Sequence, residues 1–199
     1  MVFDLPTYLN GLTALFVVID PIGAAIVFHA LVPADDMGFR VKMAIKAVVI
    51  STVLLLVFGN FGEPLLEQLG ISIHALRISG GLLLFYTAFK MITQEMDMQG
   101  STGKQDISVF PLSIPMLAGP GSLTLSILLF SNAQVDQHSV SVIAAVVSIS
   151  LFTLVLMLAS KWVKTIIGQT GDEILRRFLG VILAALAIQF VHDGIVNFV

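Results

Sequence analysis

The chain has 199 residues, of which 57% are hydrophobic and only 12% charged, with a net charge of −3 and no cysteine. Soluble domains carry about 25% charged and about 45–50% apolar residues, so this composition excludes a water-soluble fold. The missing basic excess excludes nucleic acid as a partner, and the missing thiols exclude disulfides and cysteine-bound metals. A membrane-spanning helix needs about 20 mostly apolar residues, and the sequence predicts six, in one compact membrane domain (1–199). Span 1 covers about 7–31 and is interrupted by Asp20-Pro21; nothing basic precedes it, which argues against a cleaved leader. Spans 2 and 3 follow at about 42–60 and 70–93, separated by the breaker-rich stretch from Gly59-Asn60 to Pro64. A polar segment from Gln94 to Asp106 precedes span 4, at about 108–130, which carries Gly119-Pro120-Gly121-Ser122 near its middle. Spans 5 and 6 take about 138–161 and 174–197, with the turn Gly168 to Glu173 between them. The long apolar runs lack a period of two, so strands are the wrong reading.

Basic residues fix an expected orientation. Nine of the ten lie around the first, third and fifth loops, and Arg77 alone lies on the other side. Cytoplasmic loops carry the Lys/Arg excess, so both termini are expected outside the inner membrane, in keeping with an even number of spans.

The polar segment divides the chain into 1–95 and 107–199, three spans each, joined by a cytoplasmic linker 96–106. Three is odd, so a duplicated half would lie inverted in the bilayer. Pro21 and Pro120 are 99 residues apart, and Arg77-Ile78-Ser79-Gly80 matches Arg177-Phe178-Leu179-Gly180 at an offset of 100. The expected fold class is therefore all-α, six transmembrane helices as two inverted three-helix repeats, with helices 1 and 4 interrupted. Inverted repeats with interrupted helices at matching positions characterise secondary transporters. Proline removes a backbone donor, flanking glycines let the chain unwind, and freed backbone groups are tolerated at membrane depth only inside protein or around a wet cavity.

Asp20-Pro21-Ile22-Gly23, Arg77-Ile78-Ser79-Gly80-Gly81, the run Pro111-Leu112-Ser113-Ile114-Pro115-Met116-Leu117-Ala118-Gly119-Pro120-Gly121, and Arg177-Phe178-Leu179-Gly180 together resemble the MarC family of inner-membrane proteins. The likeness covers nearly the whole chain, including Gly168-Gln169-Thr170-Gly171. Ser122 stands where alanine is common, and His192-Asp193 is particular to this chain. The resemblance implies the fold, an inner-membrane location and secondary transport of small neutral amino acids such as glycine and alanine.

The candidate substrate- or ion-binding residues are Asp20, Pro21, Gly23, Arg77, Ser79, Gly80, Gly119, Pro120, Gly121 and Ser122. Asp20 leads, because an aspartate at a helix centre costs about 2.5–3.5 kcal/mol on insertion scales; it could bind a proton, a cation or a substrate ammonium. It equally suits the N-cap of a half-helix starting at Pro21. Arg77 either snorkels or pairs structurally, or it pairs with Asp20 or a substrate carboxylate. Ser79, Gly80 and Gly81 suit close helix packing. Gly119, Gly121 and Ser122 are expected in a cavity wall, with Ser113 and Thr124 assisting and Tyr86 deep enough to join them. The four histidines are expected near helix ends, Asp193 in solvent, and no metal site is foreseen. No phosphate-binding loop, paired carboxylates or nucleophile constellation stands out, so the expected protein is not an enzyme and holds no cofactor. A gradient of H⁺ or Na⁺ is the candidate drive. Its partners are the bilayer and a small-molecule substrate, with an oligomer left open. The alternatives are a passive channel or facilitator, and a non-transporting scaffold.

Overall fold

The computed structural model describes residues 3–32, 36–93, 106–135 and 138–197. The linker foreseen at 96–106 lies outside the described residues except for Asp106, as do 33–35 and 136–137 of the foreseen loops. Among the described residues there are helices and no strand. Five helical stretches are long and apolar enough to cross a bilayer, and one bent pair makes a sixth.

The first span is broken where the sequence places its break. α1 (Leu5–Ile19) begins at Asp4, whose carboxylate accepts from the Thr7 N–H at 2.8 Å and is held below its usual pKa by Thr7. It ends at Asp20, in the left-handed region (φ 49°, ψ 69°), and α2 (Pro21–Leu31) starts at the next residue. Aspartate is among the few side chains that visit this region routinely.

α3 (Met37–Gln68) runs 32 residues, straight through the break expected at Gly59 to Pro64. At about 1.5 Å per residue it is roughly 48 Å long, more than the ~30 Å hydrocarbon core. Its glycines serve contact rather than a turn. A Cβ on Gly59 would fall 2.5 Å from Phe130 Cδ2, and one on Gly62 2.5 Å from Ile127 Cγ1. Pro64 sits in the last turns, where one lost backbone bond is tolerated.

α4 (Ile73–Thr93) is followed by the most irregular part of the chain. Ser108–Leu117 winds in wide turns, with Leu112 N–H reaching the Ile107 carbonyl at 3.3 Å and Ala118 N–H the Ser113 carbonyl at 2.7 Å. Phe110 and Ile114 are extended, as residues before proline prefer. α5 (Pro120–Val135) then leaves at 56° to this segment. The span over 108–130, expected to be interrupted near Gly119-Pro120, is thus a wound segment, a break at Ala118-Gly119 and a helix.

α6 (Ser139–Leu158) is regular. α7 (Ser160–Val196) joins two helices across a kink at Gly168 (φ 66°, ψ −177°), where the sequence places its break, and its membrane-crossing part is Glu173–Val196. Glycine alone adopts that conformation without strain.

Small residues and hydroxyls join the helices, as expected where lipid removes the hydrophobic drive between them. α4 and α7 run antiparallel along a glycine seam: Gly81 abuts Ala187 and Val191, Gly180 abuts Ala88 and Met91, and Gly194 abuts His74 and Ile78. α1 and α2 lie on α6, while α3 lies on α5 and the wound segment. Ser113 Oγ donates to the Ala47 carbonyl and Ser126 Oγ to the Leu55 carbonyl, both at 2.7 Å. α3 also meets α6, α2 meets α7 and α4 meets α5. The outward faces are apolar, with Val53, Leu82, Phe89, Leu151 and Val155 all exposed. Tyr86, expected deep in the bundle, belongs to that outer face: it is 57% exposed, with Lys90 Nζ 4.5 Å from its ring centroid.

The bundle has two unlike ends. The starts of α1 and α4 and the ends of α5 and α7 meet at one, here the terminal end. The starts of α3 and α7 meet at the other, the basic end, with Arg40, Lys46 and Lys161. There Lys46 bonds Asp106, and with Ser108 it holds the Asp106 carboxyl down at about 2.

Candidate functional site

Interrupting a helix exposes backbone groups that must be satisfied nearby, and each break satisfies them differently. At Asp20 the carboxylate Oδ1 accepts the Gly23 N–H at 3.1 Å, capping α2 with Pro21 buried in its first turn. A Cβ on Gly23 would lie 2.2 Å from Asp20 Oδ2, so glycine there makes room for the cap. At the second break the backbone folds tightly, and a Cβ on Gly119 would lie 2.3 Å from the Pro115 carbonyl oxygen. Ser122, 3% exposed, donates to the Leu117 and Gly119 carbonyls at 2.9 and 3.1 Å.

The two breaks come together. Ile19, immediately before the first, and Leu117, two residues before Gly119, line one small void with Val48, Ser51, Leu55, Ser150 and Thr153. Its volume is about 10 Å³, the size of a single water. Ser51 Oγ donates to the Ala47 and Val48 carbonyls, and Thr153 Oγ1 to the Ile149 carbonyl. The sequence reading missed Ser51, Ser150 and Thr153. A signal for the serines was present: Ser51 and Ser150 are 99 residues apart, as are Pro21 and Pro120.

A second, larger cavity of about 480 Å³ opens at the terminal end between α1, α4, α5 and α7. Its polar lining is Asn10, Thr13, Arg77, Asn132 and Asp193, and it deepens to Val17 and Leu125. Val17 stands two residues before Ile19, so its floor lies close to the central void. Arg77 Nη2 donates to Asn132 Oδ1 at 2.9 Å. Asp193, expected in solvent, faces this cavity; its Oδ1 accepts from Gln189 Nε2 at 2.7 Å and lies 3.2 Å from His192 Nδ1.

At the basic end the described residues pack around Arg40. Arg40 is 4% exposed; its guanidinium lies 5.1 Å from the Phe28 ring centroid, and its Nη1 and Nη2 donate to the Val32 carbonyl at 2.9 Å and Ser160 Oγ at 2.6 Å. One side chain thus ties the end of α2 to the start of α7.

The candidate residues divide accordingly. Asp20, Pro21, Gly23, Gly119, Pro120, Gly121 and Ser122 form the two breaks, and a Cβ on Gly121 would lie 2.5 Å from Leu84 and 3.7 Å from Val18, two residues before the first. Arg77 belongs to the open cavity. Gly80 packs against Thr124 on α5, a helix contact. Ser79 is exposed and bonds back to the Leu76 carbonyl at 3.1 Å, away from both sites. Ser113 serves the α3 contact rather than a cavity wall. His29 and His74 are half-buried, with Nδ1 atoms that make no hydrogen bond among the described residues. No three His, Asp or Glu side chains among those residues gather as a metal site needs.

The family described as MarC family integral membrane protein matches residues 5–199. The chain is 31% identical to the UPF0056 membrane protein YhcE of Escherichia coli over 205 residues, covering 97% of this chain and 94% of the relative. It is 31% identical to the UPF0056 membrane protein MJ0972 of Methanocaldococcus jannaschii (96% and 87% covered) and 30% identical to YvbG of Bacillus subtilis (92% and 90%). No solved structure matches it.

Proposed function

Because the chain belongs to the MarC family of integral membrane proteins, we propose that it is a secondary transporter of small neutral amino acids in the inner membrane, working by alternating access. One observation carries the reading: two interrupted spans meet at a void of about 10 Å³ lined by buried side chains, beside a cavity of about 480 Å³ at the terminal end. A channel needs a path open at both ends together, whereas a carrier closes one end at a time. With the basic end cytoplasmic, this is the outward-facing form, its inner side held shut through Arg40 and both termini outside.

The packing supports two inverted halves. Exchanging the first three spans for the last three turns the contact of α1 and α2 with α6 into that of the wound segment and α5 with α3. It turns the α4–α5 contact into α7–α2, and leaves α3–α6 and α4–α7 as they are. The equal spacing of the proline and serine pairs fits the same exchange. In such carriers the half-helix ends at midplane receive substrate and coupling ion. Asp20 is the carboxylate at the break, and in this reading it holds H⁺, Na⁺ or the substrate ammonium. No bond of the substrate is made or broken, so the protein is a carrier rather than an enzyme.

The test is counterflow of labelled alanine and glycine into proteoliposomes, for the wild type and Asp20→Asn. Asparagine caps a helix and tolerates the left-handed region about as well as aspartate, so the variant is expected to melt as the wild type does. Wild-type counterflow is expected to saturate and to be blocked by excess unlabelled substrate, and Asp20→Asn to slow it about 10-fold or more. Absence of saturable wild-type counterflow would overturn the transport reading; equal rates in the variant would remove Asp20 from it.

A further inference from the structure

We infer that the cavity at the terminal end is a recognition subsite for zwitterions, in which Arg77 takes a carboxylate and Asp193 an ammonium group. The inference deepens the transport reading and rests on it for the substrate's identity, but the site is read from its own residues. Two opposite charges face one cavity, Arg77 from the second turn of α4 and Asp193 from the last turn of α7. They are held by separate partners. Among the described residues the Arg77 guanidinium spends only one of its several N–H donors, on Asn132. Asp193 Oδ1 is engaged by Gln189 and His192, whereas its Oδ2 makes no hydrogen bond among them. Each charged group therefore keeps hydrogen-bonding capacity toward the cavity.

The charge pattern selects the ligand class. A simple anion drawn to Arg77 meets Asp193, and a simple cation drawn to Asp193 meets Arg77. A molecule bearing both charges on neighbouring atoms satisfies the two together. Guanidinium–carboxylate and carboxylate–ammonium bonds are the strong, charge-assisted kind. Below the polar rim the walls are apolar, with Val17, Leu125, Leu128 and Leu186, a surface suited to a small uncharged side chain. At about 480 Å³ the cavity lies within the range of small-molecule sites. It is far larger than the central void, so its recognition rests on the two charged ends of the ligand rather than on side-chain fit.

The experiment is equilibrium binding of radiolabelled alanine to the full-length protein in detergent, run beside the counterflow assay. Arg77→Gln and Asp193→Asn, each eluting from gel filtration like the wild type, are expected to raise the half-saturating concentration about 10-fold or more, the effect of losing one charge-assisted bond. A second arm needs no variant to fold. On the wild type, propionate (carboxylate alone) and ethylamine (ammonium alone) are each expected to compete about 10-fold or more weakly than alanine. Unchanged half-saturation in either variant, or a half-ligand competing as well as alanine, overturns the inference, and persisting wild-type counterflow then leaves transport standing. A wild type that neither binds nor exchanges alanine overturns both.

Discussion

Arg40→Met is expected to destabilise the protein by about 2–4 kcal/mol, because hydrogen bonds to a charged group contribute about 1.5–3 kcal/mol each. Among the described residues Arg40 donates to the Val32 carbonyl and to Ser160 Oγ, from a nearly solvent-free position over Phe28. Methionine keeps an unbranched stem to fill the space, so the loss reports the guanidinium and not a large cavity. Val32 follows the last turn of α2, where a cation is also favoured by the helix dipole. Ser160→Ala removes one bond and leaves that to the Val32 carbonyl, and is expected to cost less than the arginine replacement. Unfolding by denaturant in detergent micelles measures both. An Arg40→Met midpoint equal to the wild type would mean that this side chain does not hold the basic end together.

Gly80→Ala is the second large effect. The added Cβ would stand 2.0 Å from Thr124 Cγ2 and 2.9 Å from Thr124 Cβ, so α4 and α5 must separate. Overpacking costs about 1–3 kcal/mol, and the roughly 1 kcal/mol that alanine gains over glycine in a helix offsets only part of it. Thr124 is β-branched, stiff and 6% exposed, so it cannot swing aside. Thr124→Ala removes the obstructing methyl and hydroxyl. The double variant is thus expected to recover stability, with a coupling of about 1 kcal/mol or more between the sites. Strictly additive effects in the same unfolding assay would contradict this contact.

Length, hydropathy and proline placement carry the spans and their breaks, because these are local properties. Asp20-Pro21 and Gly119-Pro120 interrupt helices as the loss of a backbone donor requires. The misreadings come from residues whose role is set by a neighbour distant in sequence. Gly59 and Gly62 look like turn signals, yet they make room for Phe130 and Ile127, and the helix continues. Tyr86 shares a helix with Gly80, Gly81 and Leu84, which are buried, but points to the opposite side. Asp193 reads as a solvated helix end until α7 is laid against α4, which brings it to the cavity that holds Arg77. Ser51 and Ser150 are unremarkable among the chain's many serines. Only their common spacing with the prolines singles them out, and it acquires meaning once both are seen at one void.

The central claim, that the void between the breaks opens to each side in turn, is tested most directly by thiol labelling. The chain has no cysteine, so Ser150→Cys places a single thiol at the void. A void of about 10 Å³ admits no reagent while closed, and labelling by a membrane-impermeant maleimide therefore reports its opening. The reagent is applied to right-side-out and to inverted membrane vesicles, with and without alanine. The expected result is labelling from both sides, with alanine shifting the two rates in opposite directions. Rates from both sides that rise or fall together would describe a channel. A thiol protected from both sides under every condition would contradict alternating access outright.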